Sequence, residues 1–302
     1  MVAGADWHAL MKRGDFEAAW RICDRWIQQQ GVIPMHEVPR HLQTIWDGTP
    51  LHGARVLVRC YHGLGDTLQF LRFVPQLAAL AAETTLWIQP ALIELVGAVL
   101  PSVRLLPLHD GTPDVPFDVD VEIMELPHVF RASLATIPPP LRYLPHSPPD
   151  DHTAPVIAIK WSAGDWDSDR SIPFDRLEPL LAAPGVTFVP LQKELTMRER
   201  AWFHDAPSLD VSGVAHQIAA SDLVITVDSL TAHLAGSLAV PTWTLLKFDA
   251  DWRWLEHRRD SPWYPSMRLY RQPGPGTWTP VLDQVLEDIG AATSSDALTN
   301  SS

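Results

Sequence analysis

Apolar residues along this chain fall into two patterns, short β-branched runs and longer stretches with helical spacing. Residues 5–30 have helical spacing, with a break at Gly14-Asp15. Beyond residue 55, apolar runs of strand length alternate with amphipathic stretches, which predicts strands alternating with helices. We predict strands at residues 56–61, 84–89, 103–106, 119–123, 156–160, 187–191, 223–227 and 242–246, and helices at residues 67–82, 91–100, 174–181, 194–203, 214–221, 230–238 and 281–289.

The alternation of strands and helices predicts an α/β fold. Strand–helix–strand units form parallel sheets with right-handed crossovers. Residues 138–155 contain seven prolines and separate two such series, so we predict an interdomain linker there. We therefore expect two Rossmann-like domains, residues 46–150 and 151–290, whose parallel sheets face each other across a cleft. The polar tail over residues 291–302 is predicted to be disordered.

The N-terminal segment, residues 1–45, is predicted to form a short helical hairpin. Residues 14–20 resemble the turn and second helix of a tetratricopeptide repeat. Repeats of this kind need neighbours to bury their apolar faces, and the sequence contains little more than a single copy. We therefore predict a tetratricopeptide-like cap that packs on the main body and does not form a peptide-binding array.

Composition and charge narrow the class of protein. The chain has 302 residues, 46% of them hydrophobic and 20% charged, which suits two globular domains. Its net charge of −13 argues against a nucleic-acid partner, which requires a basic face. No signal-peptide core and no apolar run of membrane-spanning length are present, so we expect no transmembrane segment. The two cysteines, Cys23 and Cys60, do not suggest a disulfide framework; a cytoplasmic location fits best, with peripheral association at the inner membrane left open.

The most informative stretch is residues 223–243, where a buried strand runs directly into a capped helix. Such a helix start aims backbone N–H groups at the carboxyl edge of a parallel sheet, where α/β proteins bind phosphates. His233 lies four residues after Ser229, on the same helix face, and is either a phosphate ligand or a core histidine. The residues that we expect to contact phosphate here are Ser229, Leu230, Thr231 and His233.

Other polar residues fall at predicted carboxyl ends of strands in the same domain. Lys160 ends an apolar strand, with Ser162 close behind, and a buried ammonium needs either a phosphate or a carboxylate partner. Gln192 and Lys193 are placed to contact a base or ribose, or form a solvated loop. Asp228 would repel a diphosphate, so it caps the helix, binds a sugar hydroxyl or orients the nearby histidine.

The first domain carries a glycine turn after its first predicted strand. A tight turn into the following helix is possible at Gly63, Leu64 and Gly65, because glycine adopts backbone conformations that other residues avoid. Asp66 comes next and is either the N-cap of that helix or a general base that accepts a proton from a hydroxyl group. His62 immediately precedes the turn. No cysteine or histidine pair has metal-ligand spacing, so we expect no metal site.

These motifs, taken in order, resemble the bacterial glycosyltransferase domains that follow tetratricopeptide repeats. That group is similar to the heptosyltransferase-like enzymes of glycosyltransferase family 9 and, more distantly, to the O-linked N-acetylglucosamine transferases. The resemblance implies the two-domain GT-B fold and extends over about residues 5–290. The segments that carry it are residues 45–48, 56–70, 160–162, 170–173, 221–236, 251–254 and 261–264.

The resemblance also implies an activity and residue roles. It implies inverting, metal-independent transfer of a sugar from a nucleotide sugar to an acceptor hydroxyl, with no further cofactor. The aspartate at the place of Asp66 is the general base in the heptosyltransferase-like relatives, and the lysine at the place of Lys160 contacts the donor phosphates. The helix start at Ser229 to His233 contacts the donor phosphates in these relatives as well. From their places along the chain, we assign His62 and the glycine turn to the acceptor side, and Gln192, Lys193 and Asp228 to the nucleotide side.

Two departures and several alternatives stay open. His62 stands where relatives often carry glutamine, and the repeat array is nearly absent. The fold would also suit a binding module that holds a nucleotide sugar or a partner without turnover. A sugar-nucleotide epimerase is a further alternative, for which Glu122, Glu125 and Glu194 are candidate carboxylates. The donor nucleotide, whether uridine, adenosine, guanosine or cytidine, and the acceptor, whether a glycan, a lipid-linked sugar or a protein, are undetermined.

Overall fold

The computed structural model describes residues 4–30, 39–40, 43–147, 154–164, 166–204 and 209–294. The chain divides into two compact units, Met1–Tyr143 with Asp251–Glu256, and Leu144–Ala250 with His257–Ser302. Each unit contains one parallel β-sheet, which confirms the predicted α/β fold class. Asp251–Glu256, predicted to lie within the second domain, belongs to the first unit. The predicted domain boundaries stay predictions, and residues 295–302 of the predicted tail lie outside the described residues.

The first unit is built on a four-stranded parallel sheet in the order β3-β2-β1-β4. Val56 of β1 pairs with Thr84 of β2 on one side and with Val119 of β4 on the other. The interior residues of β1 are fully buried, as expected for a parallel sheet that is covered on both faces. The strands are β1 (Arg55–Arg59), β2 (Glu83–Ile88), β3 (Arg104–Pro107) and β4 (Val119–Glu122).

One predicted helix of the first unit is interrupted. The single helix predicted over residues 67–82 is α3, a 3-10 turn over Leu71–Phe73, and then α4. Pro75 has no N–H to donate to the carbonyl of Leu71, which explains why the α-helical pattern breaks just before it. The helices of this unit are α1 (Ala5–Arg13), α2 (Phe16–Gln30), α3 (Leu64–Phe70), α4 (Val74–Leu80), α5 (Ile93–Val99) and α6 (Leu126–Val129).

The predicted N-terminal helical hairpin is confirmed. Gly14 has a positive φ of 80° and ends α1 in the left-handed conformation that glycine adopts without strain. The aromatic side chains of Trp7, Phe16 and Trp20 are buried on the first unit, and the Trp20 indole N–H donates to the carbonyl of Ala132 at 2.8 Å. The tetratricopeptide character of this hairpin stays a prediction.

The second unit contains a five-stranded parallel sheet in the order β6-β5-β7-β8-β9. β9 was not predicted, because its five residues include Arg268 and Arg271 and form neither an apolar run nor a strict alternation. The chain segment from β7 through α10 to β8 has the predicted boundaries at every end. The strands are β5 (Val156–Lys160), β6 (Thr187–Pro190), β7 (Leu223–Val227), β8 (Thr242–Leu246) and β9 (Met267–Arg271).

The helices of the second unit differ from the predictions at four places, and the helix predicted over residues 174–181 is α-helical only over its last turn, Glu178–Leu181. α9 begins three residues earlier than predicted, because the Asp210 carboxylate accepts the N–H of Gly213 and caps it. The predicted helix 194–203 contains only one α-helical turn, and the last helix extends to Ser294. The helices are α7 (Glu178–Leu181), α8 (Met197–Arg200), α9 (Val211–Ala219), α10 (Leu230–Leu238) and α11 (Thr279–Ser294).

The segment between the two series of elements has no regular structure where it is described. Residues 138–147 and 154–155 form neither helix nor strand, in keeping with the proline content. Within the described parts of the chain, no helix combines the length and the apolar character needed to cross a membrane.

A close approach in the second unit gives a test of the packing. Gly236 of α10 lies against the buried Tyr264, and an added Cβ would lie 2.4 Å from Tyr264 Cγ. We expect Gly236→Ala to lower the free energy of unfolding by about 1–3 kcal/mol through overpacking, measured by chemical denaturation.

Gly290 of α11 is the matched control, because an added Cβ there meets nothing within 4 Å. Gly290→Ala is expected to raise the free energy of unfolding by about 0.5–1 kcal/mol, since alanine loses less entropy in a helix. Equal stabilities for the two variants would contradict the packing of Tyr264 on α10.

Candidate functional site

The carboxyl edge of the second sheet brings several predicted residues together. β5 lies between β6 and β7 in the sheet. From β5 the strand order runs outward to β6 on one side, and from β7 it runs outward to β8 and β9 on the other, so the strand order switches between β5 and β7. In open α/β sheets ligands bind at the carboxyl ends of the strands at such a switch point. Lys160 ends β5 there, opposite Thr226 of β7, and Ser229 follows the end of β7.

Lys160 is a partly buried cation at this switch point. Burial lowers the pKa of its ammonium group from the usual 10.5 to about 8. Within the described residues, no hydrogen bond or ion pair involves this side chain, and no neighbouring charge contributes to the shift of its pKa. The carboxylate partner that the sequence left open is therefore not found among them. An anion at this position would recover the free energy lost by burying the ammonium.

The start of α10 supplies donors beside Lys160. Ser229 is the N-cap, and its hydroxyl oxygen accepts the N–H of Thr231 at 3.3 Å and lies 3.3 Å from the Thr226 hydroxyl. The N–H of Leu230, as the first helical residue, has no intrahelical acceptor. A helix of nine residues places partial positive charge at this end, which favours an anion.

Arg170 was quoted within the family resemblance but was given no role from the sequence. Its side chain is buried, and its guanidinium donates to the carbonyl of Asp228 at 2.9 Å and to that of Gly164 at 3.4 Å. Those carbonyls lie on the loops after β7 and β5. The guanidinium carbon also lies 4.0 Å from the ring centre of Trp166. Arg170 therefore ties together the two loops that flank the switch point.

Lys247 adds a further positive charge to this edge and was also missed. It follows the end of β8 and pairs with Asp167 at 2.7 Å, and Asp167 also lies 3.8 Å from Arg170. Its position directly after a buried strand was the signal that could have identified it. Three cations, Lys160, Arg170 and Lys247, therefore lie near the carboxyl ends of these strands, and Asp167 partly neutralises the last two.

The remaining predicted residues of this unit have different environments. The Gln192 amide donates to the Ser162 hydroxyl, which joins the ends of β6 and β5. Lys193 is exposed. His233 is buried, and its Nδ1 lies 3.0 Å from the Tyr264 hydroxyl, an environment that also suits a packed core histidine. The predicted ligand contacts of these residues stay predictions.

In the first unit, the glycine turn follows β1 and leads into α3. Gly63 is the N-cap of α3 and Asp66 the third helical residue, so the interpretation of Asp66 as N-cap is wrong. Asp66 still serves the helix start, because its Oδ2 accepts the N–H of Gly63 at 3.0 Å. Its other oxygen, Oδ1, lies 2.5 Å from Nη2 of Arg253. No local pattern in the sequence indicates this ion pair.

His62 lies at the switch point of the first sheet, where β1 is flanked by β2 and β4. Its Nδ1 lies 2.8 Å from Oε1 of Glu122, the last residue of β4, and that carboxylate is 1% exposed. Burial acts to lower the pKa of His62, but the hydrogen bond and charge of Glu122, together with Asp66, raise it above its usual value. The Gln89 amide donates to the His62 carbonyl at 2.7 Å and fixes the backbone there.

Glu125 has an environment that explains its burial without a catalytic role. Its carboxylate accepts the N–H groups of Ile45 and Trp46 at 3.0 Å each and of Glu122 at 2.8 Å. Burial raises the pKa of Glu125 to about 7 despite these hydrogen bonds. Glu194, the third carboxylate considered for an epimerase, is exposed in the second unit.

Searched over its described residues, the chain has no cluster of three or more histidine, cysteine or acidic side chains that could hold a metal ion.

Comparison with known sequences gives a distant relative. No protein-family model matches the chain. Protein FlbA of Caulobacter vibrioides is 26% identical over 302 residues, which covers 82% of this chain and 48% of FlbA. The chain thus spans about half the length of the curated relative that it matches.

Comparison with solved structures identifies the fold. A glycosyl transferase of family 9 from Veillonella parvula superposes with a TM-score of 0.59 at 11% identity, covering 82% of this chain and 99% of that one. The heptosyltransferase WaaC of E. coli, solved with ADP, superposes with a TM-score of 0.54 at 16% identity, covering 80% and 98%. At such identities the likeness concerns the fold alone. It confirms the predicted GT-B fold class, with two parallel-sheet units and an N-terminal hairpin.

The environment of Lys160 predicts a pH dependence of stability. Because its pKa is about 8 in the folded chain and 10.5 when unburied, the unfolded chain binds more protons between these values. The free energy of unfolding should therefore rise with pH from about 8 to 10.5 through this group. We expect Lys160→Met to remove that rise in denaturation series at successive pH values.

Lys193→Met is the control for this series, because Lys193 follows β6 at the same edge but is exposed. Its replacement should keep the pH dependence of the wild type. A Lys160→Met variant that still gains stability with pH as the wild type does would contradict the burial of the Lys160 ammonium.

Proposed function

We propose that this chain is a glycosyltransferase that moves a sugar from a nucleotide-sugar donor to an acceptor hydroxyl. The observation that carries the proposal is the partly buried Lys160 beside the start of α10, at the switch point of the second sheet. A diphosphate supplies the anion that this arrangement favours. The GT-B fold shared with family 9 enzymes supports the same function.

The proposed reaction is an inverting transfer that uses fixed protein charges in place of a metal ion. The acceptor oxygen attacks the anomeric carbon, and its proton passes to Asp66 as general base. The bond from that carbon to the diphosphate breaks, and the leaving group takes the electron pair. Lys160 and the N–H groups at the start of α10 stabilise the negative charge that develops on it.

The other predicted residues have matching proposed roles. Ser162, Thr231 and His233 complete the phosphate side, while Gln192, Lys193 and Asp228 contact the nucleotide. His62 and the backbone of the glycine turn lie on the acceptor side. We propose ADP as the first nucleotide to test, because the WaaC structure was solved with ADP.

Nucleotide binding can be measured before the acceptor is known. In a thermal-shift screen of nucleoside diphosphates and nucleotide sugars, a ligand at 100 times its Kd should add about 2.7 kcal/mol of stability. We expect Lys160→Met to remove the stabilisation, because the diphosphate loses its cationic partner.

Arg198→Gln is the matched control for charge, since Arg198 pairs with Glu178 on the surface of the same unit. It should keep the wild-type shift. If no nucleotide stabilises the wild type, or if Lys160→Met responds as the wild type does, the proposed donor site is wrong.

The proposed base has its own test. With the nucleotide sugar selected by the screen, we expect Asp66→Asn to lower kcat by about 10²–10⁴-fold, because the amide accepts no proton. Binding of the nucleoside diphosphate should stay at the wild-type level. The measurement is transfer to a panel of glycan, lipid-linked sugar and protein acceptors.

Asp118→Asn makes the same charge change in the first unit, at an exposed carboxylate that pairs with Arg55. It should retain wild-type transfer. Full transfer by Asp66→Asn would exclude Asp66 as the base, and nucleotide binding without any transfer would favour the binding-module alternative.

A further inference from the structure

Arg253 joins the turn of the proposed base from a distant part of the chain. Its Nη2 lies 2.5 Å from Asp66 Oδ1, across 187 residues of sequence. The arginine side chain is only 10% exposed, and that of Asp66 is 25% exposed. Because the guanidinium is buried, this ion pair is less screened by solvent and salt than a surface pair.

The guanidinium of Arg253 is held on its other side as well. Asp251 Oδ1 lies 2.8 Å from Arg253 Nη1 and also accepts the Arg253 backbone N–H at 3.0 Å. The guanidinium carbon lies 5.6 Å from the ring centre of Phe70, at the end of α3. The guanidinium is therefore fixed between two carboxylates and an aromatic ring of the helix that carries Asp66.

The backbone around Arg253 is anchored independently of this ion pair. Trp252 packs on Trp7 and Phe16, with ring centres 5.7 and 6.1 Å away, and stacks on Phe70 at 6.2 Å. The N–H of Glu256 donates to the carbonyl of Lys12 at 2.9 Å. The segment Asp251–Glu256 can therefore keep its place on the first unit when the guanidinium is removed.

We infer that Arg253 is a positioning residue for Asp66, fixing the carboxylate in the orientation in which it receives the acceptor proton. The inference rests on the proposed function. Asp66 Oδ2 is held by the Gly63 N–H and Oδ1 by Arg253, so both oxygens have a defined direction while each keeps a lone pair. In the step, the acceptor O–H proton moves to the carboxylate, the new C–O bond forms at the anomeric carbon, and the diphosphate leaves with its bonding pair.

This role differs from that of a stabilising surface ion pair. A misplacement of a catalytic group by about 1 Å can reduce the rate about 10²-fold. A positioning residue has its effect only through the group it orients, so its removal should have no further effect once that group is gone. A residue that serves folding or donor binding would instead reduce activity in either background.

The charges that face this turn give a second, activity-independent readout. Burial lowers the pKa of His62, Glu122 and Asp66 raise this pKa above its usual value, and the positive charge of Arg253 acts to lower it. Removing the guanidinium charge should therefore shift the titration midpoint of His62 upward, and Asp66→Asn should shift it downward. Both midpoints can be followed by NMR of the imidazole.

The test is a double-mutant cycle of Arg253→Gln and Asp66→Asn, measured as kcat with the donor and acceptor found for the wild type. We expect Arg253→Gln alone to lower kcat about 100-fold with little change in nucleotide affinity, and Arg253→Lys to lose less. In the Asp66→Asn background, Arg253→Gln should cause no further loss. Arg258→Gln, which breaks an exposed pair with Asp260, should match the wild type.

The results of the cycle test the positioning role of Arg253 separately from the proposed function. Full activity of Arg253→Gln, or losses that multiply across the cycle, would overturn the positioning role. If the wild type transfers no sugar to any acceptor, the proposed function is wrong and the inference falls with it. If the wild type transfers sugar but the cycle shows either of these results, only the inference about Arg253 is wrong.

Discussion

Parallel pairing of the strands is the constraint on which both units depend. A parallel strand covered on both faces admits few charged residues in its interior, so polar chemistry collects where the strand ends. In each unit the first strand has neighbours on both sides, and its carboxyl end opens at a switch point. Lys160 lies at that place in the second unit, and the His62–Glu122 pair lies there in the first.

Local signals predicted the elements well where they agreed with one another. From β7 to β8, the buried apolar run, the Ser229 cap and the stop at Pro241 all indicate the same boundaries, and the structure has them. The prediction for α3 was wrong at its start because Asp66 is a good N-cap residue and Gly63 a weaker one. There the backbone turn, which the sequence pattern does not reveal, decided which residue begins the helix.

The partners of the candidate residues could not be predicted in the same way. Lys160, Ser229 and Asp66 were found because each adjoins a strand or a helix start. Arg170 reaches the Asp228 carbonyl across 58 residues, and Arg253 reaches Asp66 across 187. No periodicity or cap links such positions, since their proximity is produced by tertiary packing.

The two units use their charges in opposite ways. In the first, each of the carboxylates of Asp66 and Glu122 is already joined to a cationic or imidazole partner, which fixes its direction. In the second, the ammonium of Lys160 has no such partner among the described residues, so its charge is available to a ligand. The net charge of −13 repels an anionic ligand as a whole. Salt screens this repulsion between charges that are more than about 8 Å apart. At contact, the local cations and the start of α10 decide the interaction, so the acidic net charge does not conflict with the proposed diphosphate ligand.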